Sequence, residues 1–226
     1  MMKTDSINKW IAVILGIAII NLIASILFIL QLPEQVPTHF DINWVCDGYG
    51  SRWIHLLTAI LPIFLVFTPL LHRKHPQNQK VNVIAMLCVN FYLIGLHWIM
   101  MITVSSKEIQ LGDQVDPILI SWLLPLFLSA LFVVLGNYLP VIRPNQAMGI
   151  RVSWTLEDEN CWRKTHRFAG RLWVISGLLM TGLILIALAC GMQGELWTLI
   201  VLFEVITVDI AAPCIYAYLH RKGAEE

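Results

Sequence analysis

Charge is what this chain has least of. Of its 226 residues, 13% are Asp, Glu, Lys or Arg and 58% are hydrophobic, with a net charge of zero; mean hydropathy is +0.71. Soluble domains are about a quarter charged and roughly half apolar, so a soluble globular fold is excluded. With no net positive field, nothing recruits nucleic acid directly. The common catalytic signatures are missing too: there is no H-E-x-x-H, no G-x-S-x-G and no glycine-rich phosphate loop, which argues against an enzyme. The cysteines at 46, 88, 161, 190 and 214 have no C-x-x-C spacing, and three lie in apolar runs. A disulfide framework is not implied. A cleavable leader is not expected either. The run from Trp10 to Leu30 exceeds a signal h-region of roughly 7–15 residues, and no small-residue cleavage site follows it. It reads as a retained first span.

Long apolar runs are what the chain does have. A helix needs about 20 apolar residues to cross a hydrocarbon core of roughly 30 Å. Six runs qualify, at about 10–30, 53–71, 81–104, 118–140, 171–190 and 197–219. Backbone groups cannot stay unpaired in lipid, so each must be helical. The expected fold is therefore all-α, a six-transmembrane-helix bundle. With no internal repeat and no low-complexity linker, residues 1–226 form a single polytopic domain.

The connections alternate in charge. Thirteen of the fifteen Lys and Arg fall in the N-terminus (Lys3, Lys9), residues 72–80 (Arg73, Lys74, Lys80), residues 141–171 (Arg143, Arg151, Arg163, Lys164, Arg167, Arg171) and the C-terminus (Arg221, Lys222). The other connections, residues 31–52, 105–117 and 191–196, carry only Arg52 and Lys107 beside Glu34, Asp41, Asp47, Glu108, Asp113, Asp116 and Glu195. The positive-inside rule then puts both termini in the cytoplasm, as an even number of spans requires. Trp53, Trp98, Trp122 and Trp197 lie at outer span ends, and Trp10 and Trp173 at inner ends, as aromatic belts do. Residues 31–53 become an ordered extracytoplasmic loop, and residues 141–170 a cytoplasmic one.

The outer loop reads QLPEQVPTHFDINWVCDGYGSRW, with Pro33, Pro37, Gly48 and Gly50 breaking any helix. An ordered turn-rich loop or short hairpin is expected. His39, Asp41 and Asp47, with Glu34, have the donor types for a divalent metal; the other reading is polar turn residues bonding their own backbone. This loop resembles the domain of unknown function found at the N-terminus of SdpI-like membrane proteins, whose pattern is P-x-x-x-P-x-H-[FW]-[ND]…D-G-[YF]-x-S-[KR]. Pro33, Pro37, His39, Phe40, Asp41, Asp47, Gly48, Tyr49, Ser51 and Arg52 match it. Trp44 departs from it, standing where that family usually has glycine.

In the inner loop, Asn137, Pro140, Arg143, Pro144 and Asn145 mark an abrupt helix exit, and Gly149 allows a second turn. Thr155 before Glu157, Asp158 and Glu159 reads as an N-cap with acids against the helix dipole. On the helix that follows, Arg163, Arg167 and Arg171 form one stripe, and Trp162, His166 and Trp173 the next. This basic-aromatic surface either anchors on anionic lipid or docks a cytoplasmic partner. The series Gly136-Asn137, Pro140, Asn145, Gly149-Ile150-Arg151, Trp154-Thr155-Leu156, Trp162, Thr165-His166-Arg167 and Gly170 resembles the signature of the SdpI family of bacterial immunity and signalling proteins.

That resemblance implies a multi-pass protein of the bacterial cytoplasmic membrane that protects its producer from a secreted antimicrobial peptide. It also implies a cytoplasmic transcriptional repressor as partner. The toxin would meet Pro37, His39, Phe40, Asp41, Asp47, Tyr49 and Arg52. Within the bilayer, the carboxylates Glu204 and Asp209 of the last span each cost about 2.5–3.5 kcal/mol on insertion scales, so they need bundle-facing partners. Depth counting pairs His97 with Glu204 and groups Asn21, Asn90 and Asp209. Such groups line a cavity or merely fix helix packing. The alternatives to immunity are a proton-coupled transporter or exporter using Glu204 and Asp209, and a membrane-embedded metal-dependent hydrolase. Apart from a divalent metal at His39, Asp41 and Asp47, no cofactor is expected.

Overall fold

The structure is a computed structural model, and it describes residues 4–41, 45–67, 78–105, 119–145, 148–192 and 195–221. Trp44 and the expected loop charges Lys3, Arg73, Lys74, Lys107, Glu108, Asp113, Asp116 and Lys222 lie outside the described residues.

The chain is mostly helical. Helix α1 spans Thr4–Ile29, followed by strands β1 (Gln35–Phe40) and β2 (Cys46–Ser51) and a single 3-10 turn leading into α2 (His55–Val66). Next comes α3 (Gln79–Val104), then a π-helical turn Leu119–Leu123 running into α4 (Leu124–Tyr138). After the loop, a short α5 (Ser153–Glu157) precedes α6 (Glu159–Ala189). The last span is α7 (Glu195–Glu204), a π-helical segment Val205–Ala211, and α8 (Ala212–Leu219). Among the described residues, five helices are long and apolar enough to cross a membrane: Asn8–Ile29, Gln79–Val104, Ser121–Val141, Glu159–Ala189 and Leu199–Leu219. Of the expected second span, 53–71, the described part is the shorter apolar helix Arg52–Val66. The all-α expectation needs one correction, since the two strands form an antiparallel hairpin.

Between 17% and 28% of each long span's most apolar stretch is buried inside the chain. The remainder, including Ile20, Leu57, Phe64, Leu179, Ile186 and Phe203, points outward. An apolar exterior over a partly polar interior is stable in lipid, where hydrophobicity cannot hold helices together and packing and polar contacts must. Two groups of helices result. One contains α1, α2 and α3 around Ile11, Ile14, Ala18, Val66, Val83 and Met86. The other contains α4, α6, α7 and α8, and α3 joins them through α4.

Helices α4 and α6 approach each other closely, where small residues allow it. A Cβ on Gly170 would lie 2.7 Å from both Gly136 O and the Pro140 ring, and one on Gly177 would lie 2.7 Å from Ser129 O. Any larger side chain would separate the helices. The hairpin closes one end of the bundle, where Ile29, Leu32, Val36, Met101 and Val104 pack together. At the opposite end Val81, Leu139, Ile142, Trp162 and Ala169 form the core beneath the 141–158 loop.

Candidate functional site

At the hairpin end, the register pairs Gln35 with Ser51, Val36 with Gly50, Pro37 with Tyr49, His39 with Gly48 and Phe40 with Cys46, with irregularities on both sides of His39. Such bulges re-aim side chains. Here they leave His39 and Asp47 exposed on the outer surface, with Nδ1 and Oδ1 2.5 Å apart. Asp41 does not join them: its carboxylate accepts from the Val45 N–H at 2.8 Å and shapes the hairpin turn. Among the described residues no three His, Cys, Asp or Glu side chains come together to hold a metal. Arg52 is drawn to the base of the hairpin, where Nη1 donates to Leu32 O at 2.6 Å and Leu30 O at 3.4 Å. It thus satisfies carbonyls that the end of α1 would leave open.

Beneath the hairpin lies an apolar pocket of about 410 Å³, lined by Pro37, Phe40, Leu57, Leu96 and Met100 with the polar pair His55 and Thr58. His55 is 5% exposed, and its Nε2 has no hydrogen-bond partner. A buried orphan of this kind is uncommon and calls for a reason. Sequence reasoning passed over it, although a histidine three residues before a threonine in an apolar helix is a visible irregularity.

At the other end, the buried family-signature residues hold the loop's shape. Asn78 clamps Arg143, donating to its carbonyl and accepting its N–H, both at 2.9 Å. Asn145 accepts the Met148 N–H at 2.9 Å and donates to Arg143 O at 2.8 Å. Trp162 is fully buried, donates to Ile142 O at 2.8 Å and stacks on His166 with ring centroids 4.0 Å apart. His166 Nδ1 lies 2.8 Å from Trp162 O, while its Nε2 accepts the Ile150 N–H at 3.1 Å. Both bonds are made by one species only, neutral imidazole with the proton on Nδ1. Gly149, at φ 104°, brings the chain so close that a Cβ there would collide with His166 Nε2. Trp154 packs edge-on against Tyr218 at 5.5 Å, while Arg151 and Asn137 are exposed.

Two expectations about this end change. The cap of the long helix is Asp158, which accepts from the N–H groups of Asn160 and Cys161. Thr155 instead sits inside α5, with its hydroxyl bonded to Ile150 O and Val152 O. The aromatic stripe is not a surface: Trp162 and His166 are core, and only Arg163, Arg167 and Arg171 face outward.

Inside the bundle, the expected His97–Glu204 pair and the Asn21/Asn90/Asp209 group do not form, because their members belong to different helix groups. Ser25 Oγ and Thr58 Oγ1 each lie 2.8 Å from a ring nitrogen of His97. Asn21 accepts from Trp98 Nε1 at 2.9 Å, and Asn90 donates to Met86 O of its own helix. Each hydroxyl also reaches a carbonyl of its own helix, Ser25 that of Asn21 and Thr58 that of His55. A neutral imidazole has one N–H, so one hydroxyl turns its hydrogen from that carbonyl to His97. The second cluster is in the last span. The π-helical segment, with its five-residue turn, sets Glu204 and Asp209 one turn apart. Ser176 faces both carboxyl groups and donates to Asp209 Oδ1 at 2.8 Å, and Trp173 Nε1 donates to Asp209 O at 2.7 Å. Glu204 Oε1 is buried without a partner.

In comparison with known proteins, the model of the SdpI/YfhL protein family matches residues 141–217 and that of the domain of unknown function DUF1648 matches residues 16–66. The chain is 24% identical to the immunity protein SdpI of Bacillus subtilis over 207 residues, which is 91% of this chain and 93% of that protein. No solved structure matches it.

Proposed function

We propose that this chain, which the SdpI/YfhL family model matches over residues 141–217, is an immunity protein of a bacterial cytoplasmic membrane that protects its cell from a secreted, membrane-active peptide. One observation carries the reading. The two matched segments coincide with the two ordered ends of the bundle: residues 16–66 supply the hairpin with α2 and most of α1, and residues 141–217 supply the bonded loop with α6 and nearly all of the last span.

In this reading both termini are cytoplasmic, following the charge asymmetry of the connections, and the hairpin faces outward. A cationic amphipathic peptide would meet exposed Glu34, Asp41 and Asp47 first, then the apolar pocket with the unpartnered His55 Nε2 at its wall. Acidic rim and apolar floor complement the two faces of such a peptide. At the cytoplasmic end, exposed Arg151 and Leu156 are what a repressor would touch. The test is expression in a sensitive bacterium challenged with a panel of secreted membrane-active peptides. Wild type should protect, and His55→Leu and Asp47→Ala should weaken protection at unchanged membrane abundance. A panel without a single protected case would sink the reading.

A second reading, proton-coupled transport, has the Glu204–Asp209–Ser176 cluster in its favour. It requires protection to vanish when the proton gradient is collapsed, and in Glu204→Gln.

A further inference from the structure

The structure assigns a second binding site at the loop end: a groove between α6 and α8 that takes one anionic phospholipid. The groove, of about 420 Å³, is lined by Lys164, Arg167, Phe168, Arg171, Leu172, Ile175 and Tyr216. Its composition is graded along α6. Lys164, Arg167 and Arg171 succeed one another at spacings of three and four, so they stand one above the next on one helix face. Leu172 and Ile175 continue the groove below Arg171. Phe168 and Tyr216, stacked with ring centroids 4.2 Å apart, join the two helices along its side.

Length fixes the depth of this gradient. From Arg171 to Ala189, the end of α6, the helix rises about 27 Å at roughly 1.5 Å per residue, close to the roughly 30 Å hydrocarbon core. Arg171 therefore marks the hydrocarbon boundary. Arg167 and Lys164 stand about one and two turns outside it, at headgroup depth, and Leu172 and Ile175 lie just inside.

A soluble anion would use the cations and leave the apolar floor idle. A neutral lipid would do the reverse. A phospholipid with net negative charge uses both, its phosphate against the guanidinium forks and an acyl chain along Leu172 and Ile175. Arg167 and Arg171 are exposed, and among the described residues neither is in an ion pair with a carboxylate. The aromatic groups that a protein partner would seek on this helix, Trp162 and His166, are buried in the core, which favours lipid over a docked protein. Arg163 belongs to the same exposed stripe but lies outside the groove, and so separates a site from diffuse surface charge.

The experiment uses the full chain in nanodiscs of equal phosphatidylglycerol and phosphatidylcholine, with lipids retained on release counted by native mass spectrometry. Wild type should retain phosphatidylglycerol preferentially. Arg167→Gln and Arg171→Gln should each lower the ratio of retained phosphatidylglycerol to phosphatidylcholine roughly fivefold, as a basic residue at the membrane surface does. Arg163→Gln should leave it unchanged. All three positions are exposed, and unchanged thermal unfolding of the variants verifies their folding. The proposal is overturned if the double variant keeps the wild-type ratio, or if Arg163→Gln loses as much as Arg167→Gln. Retention of a soluble acidic protein at this face, with no lipid preference, would overturn it in favour of protein docking.

Discussion

Replacing Gly149 by alanine tests the loop end at its tightest point. Gly149 holds φ at 104°, outside the regions that side-chain-bearing residues adopt freely, and forcing one there costs on the order of 1–3 kcal/mol. The new methyl group would also occupy the space of His166 Nε2. Either the backbone shifts or the imidazole turns, and the bond from the Ile150 N–H is lost in both cases. Such a bond contributes about 1 kcal/mol, and more if the donor stays buried without a partner. Together these costs come to about 3 kcal/mol, concentrated in residues 148–156. Because the bundle beneath is held separately by α4 and α6, the loss should appear as local opening. Hydrogen exchange of the peptide covering residues 148–156 should accelerate roughly 100-fold, while peptides from α4 and the membrane part of α6 exchange as in wild type. His166→Phe should copy the effect by removing the acceptor and keeping the stack. Exchange unchanged in Gly149→Ala would refute the linkage between this glycine and His166.

Three further outcomes follow from other contacts. Gly170→Val should lower stability by at least about 2 kcal/mol, an overpacking cost, because backbone and the Pro140 ring block its Cβ; Gly182→Ala, with open space around it, should be neutral or slightly stabilising in thermal unfolding. Asp158→Ala removes an acceptor for two N–H groups and should cost about 1–2 kcal/mol, with Asp158→Asn recovering most of it. His97→Phe should cost only about 1 kcal/mol in denaturant unfolding, since Ser25 and Thr58 fall back on their own helix carbonyls; a loss above about 3 kcal/mol would show that the imidazole, not helix packing, joins α1, α2 and α3.

The sequence showed most clearly what lipid imposes. Span positions, the two ordered ends and the polar residues inside the bundle all announce themselves, because a charged or kinking residue in an apolar run has few tolerated reasons to be there. The partners of those polar residues were not legible. Depth counting treats spans as equal straight rods, so it paired His97 with Glu204. In the structure α3 lies with α1 and α2, and the π-helical segment shifts the register of the last span. The actual partners, Ser25, Thr58 and Ser176, are small neutral residues that mark no site in a sequence.

The aromatic stripe of α6 was misread for another reason. Periodicity identifies the faces of a helix but not which face another helix covers. A signal for this was present. Trp162 and His166 share their side of α6 with Ala169, Gly170 and Gly177, all buried, while Cys161 turns toward Ala217 of α8. Small residues repeating on one face, as Gly170 and Gly177 do seven residues apart, are how membrane helices announce a close contact. That face had to be the one against α4. Once it is covered, the arginines at 163, 167 and 171 are left on the outside, and a surface first read as one basic-aromatic patch separates into a structural half and a lipid-facing half. The separation also bears on function. Trp162 and His166, two of the signature's three aromatic residues, carry the loop, so a substitution there reports on stability, and a change confined to Arg151, Arg167 or Arg171 reports on what this end of the protein touches.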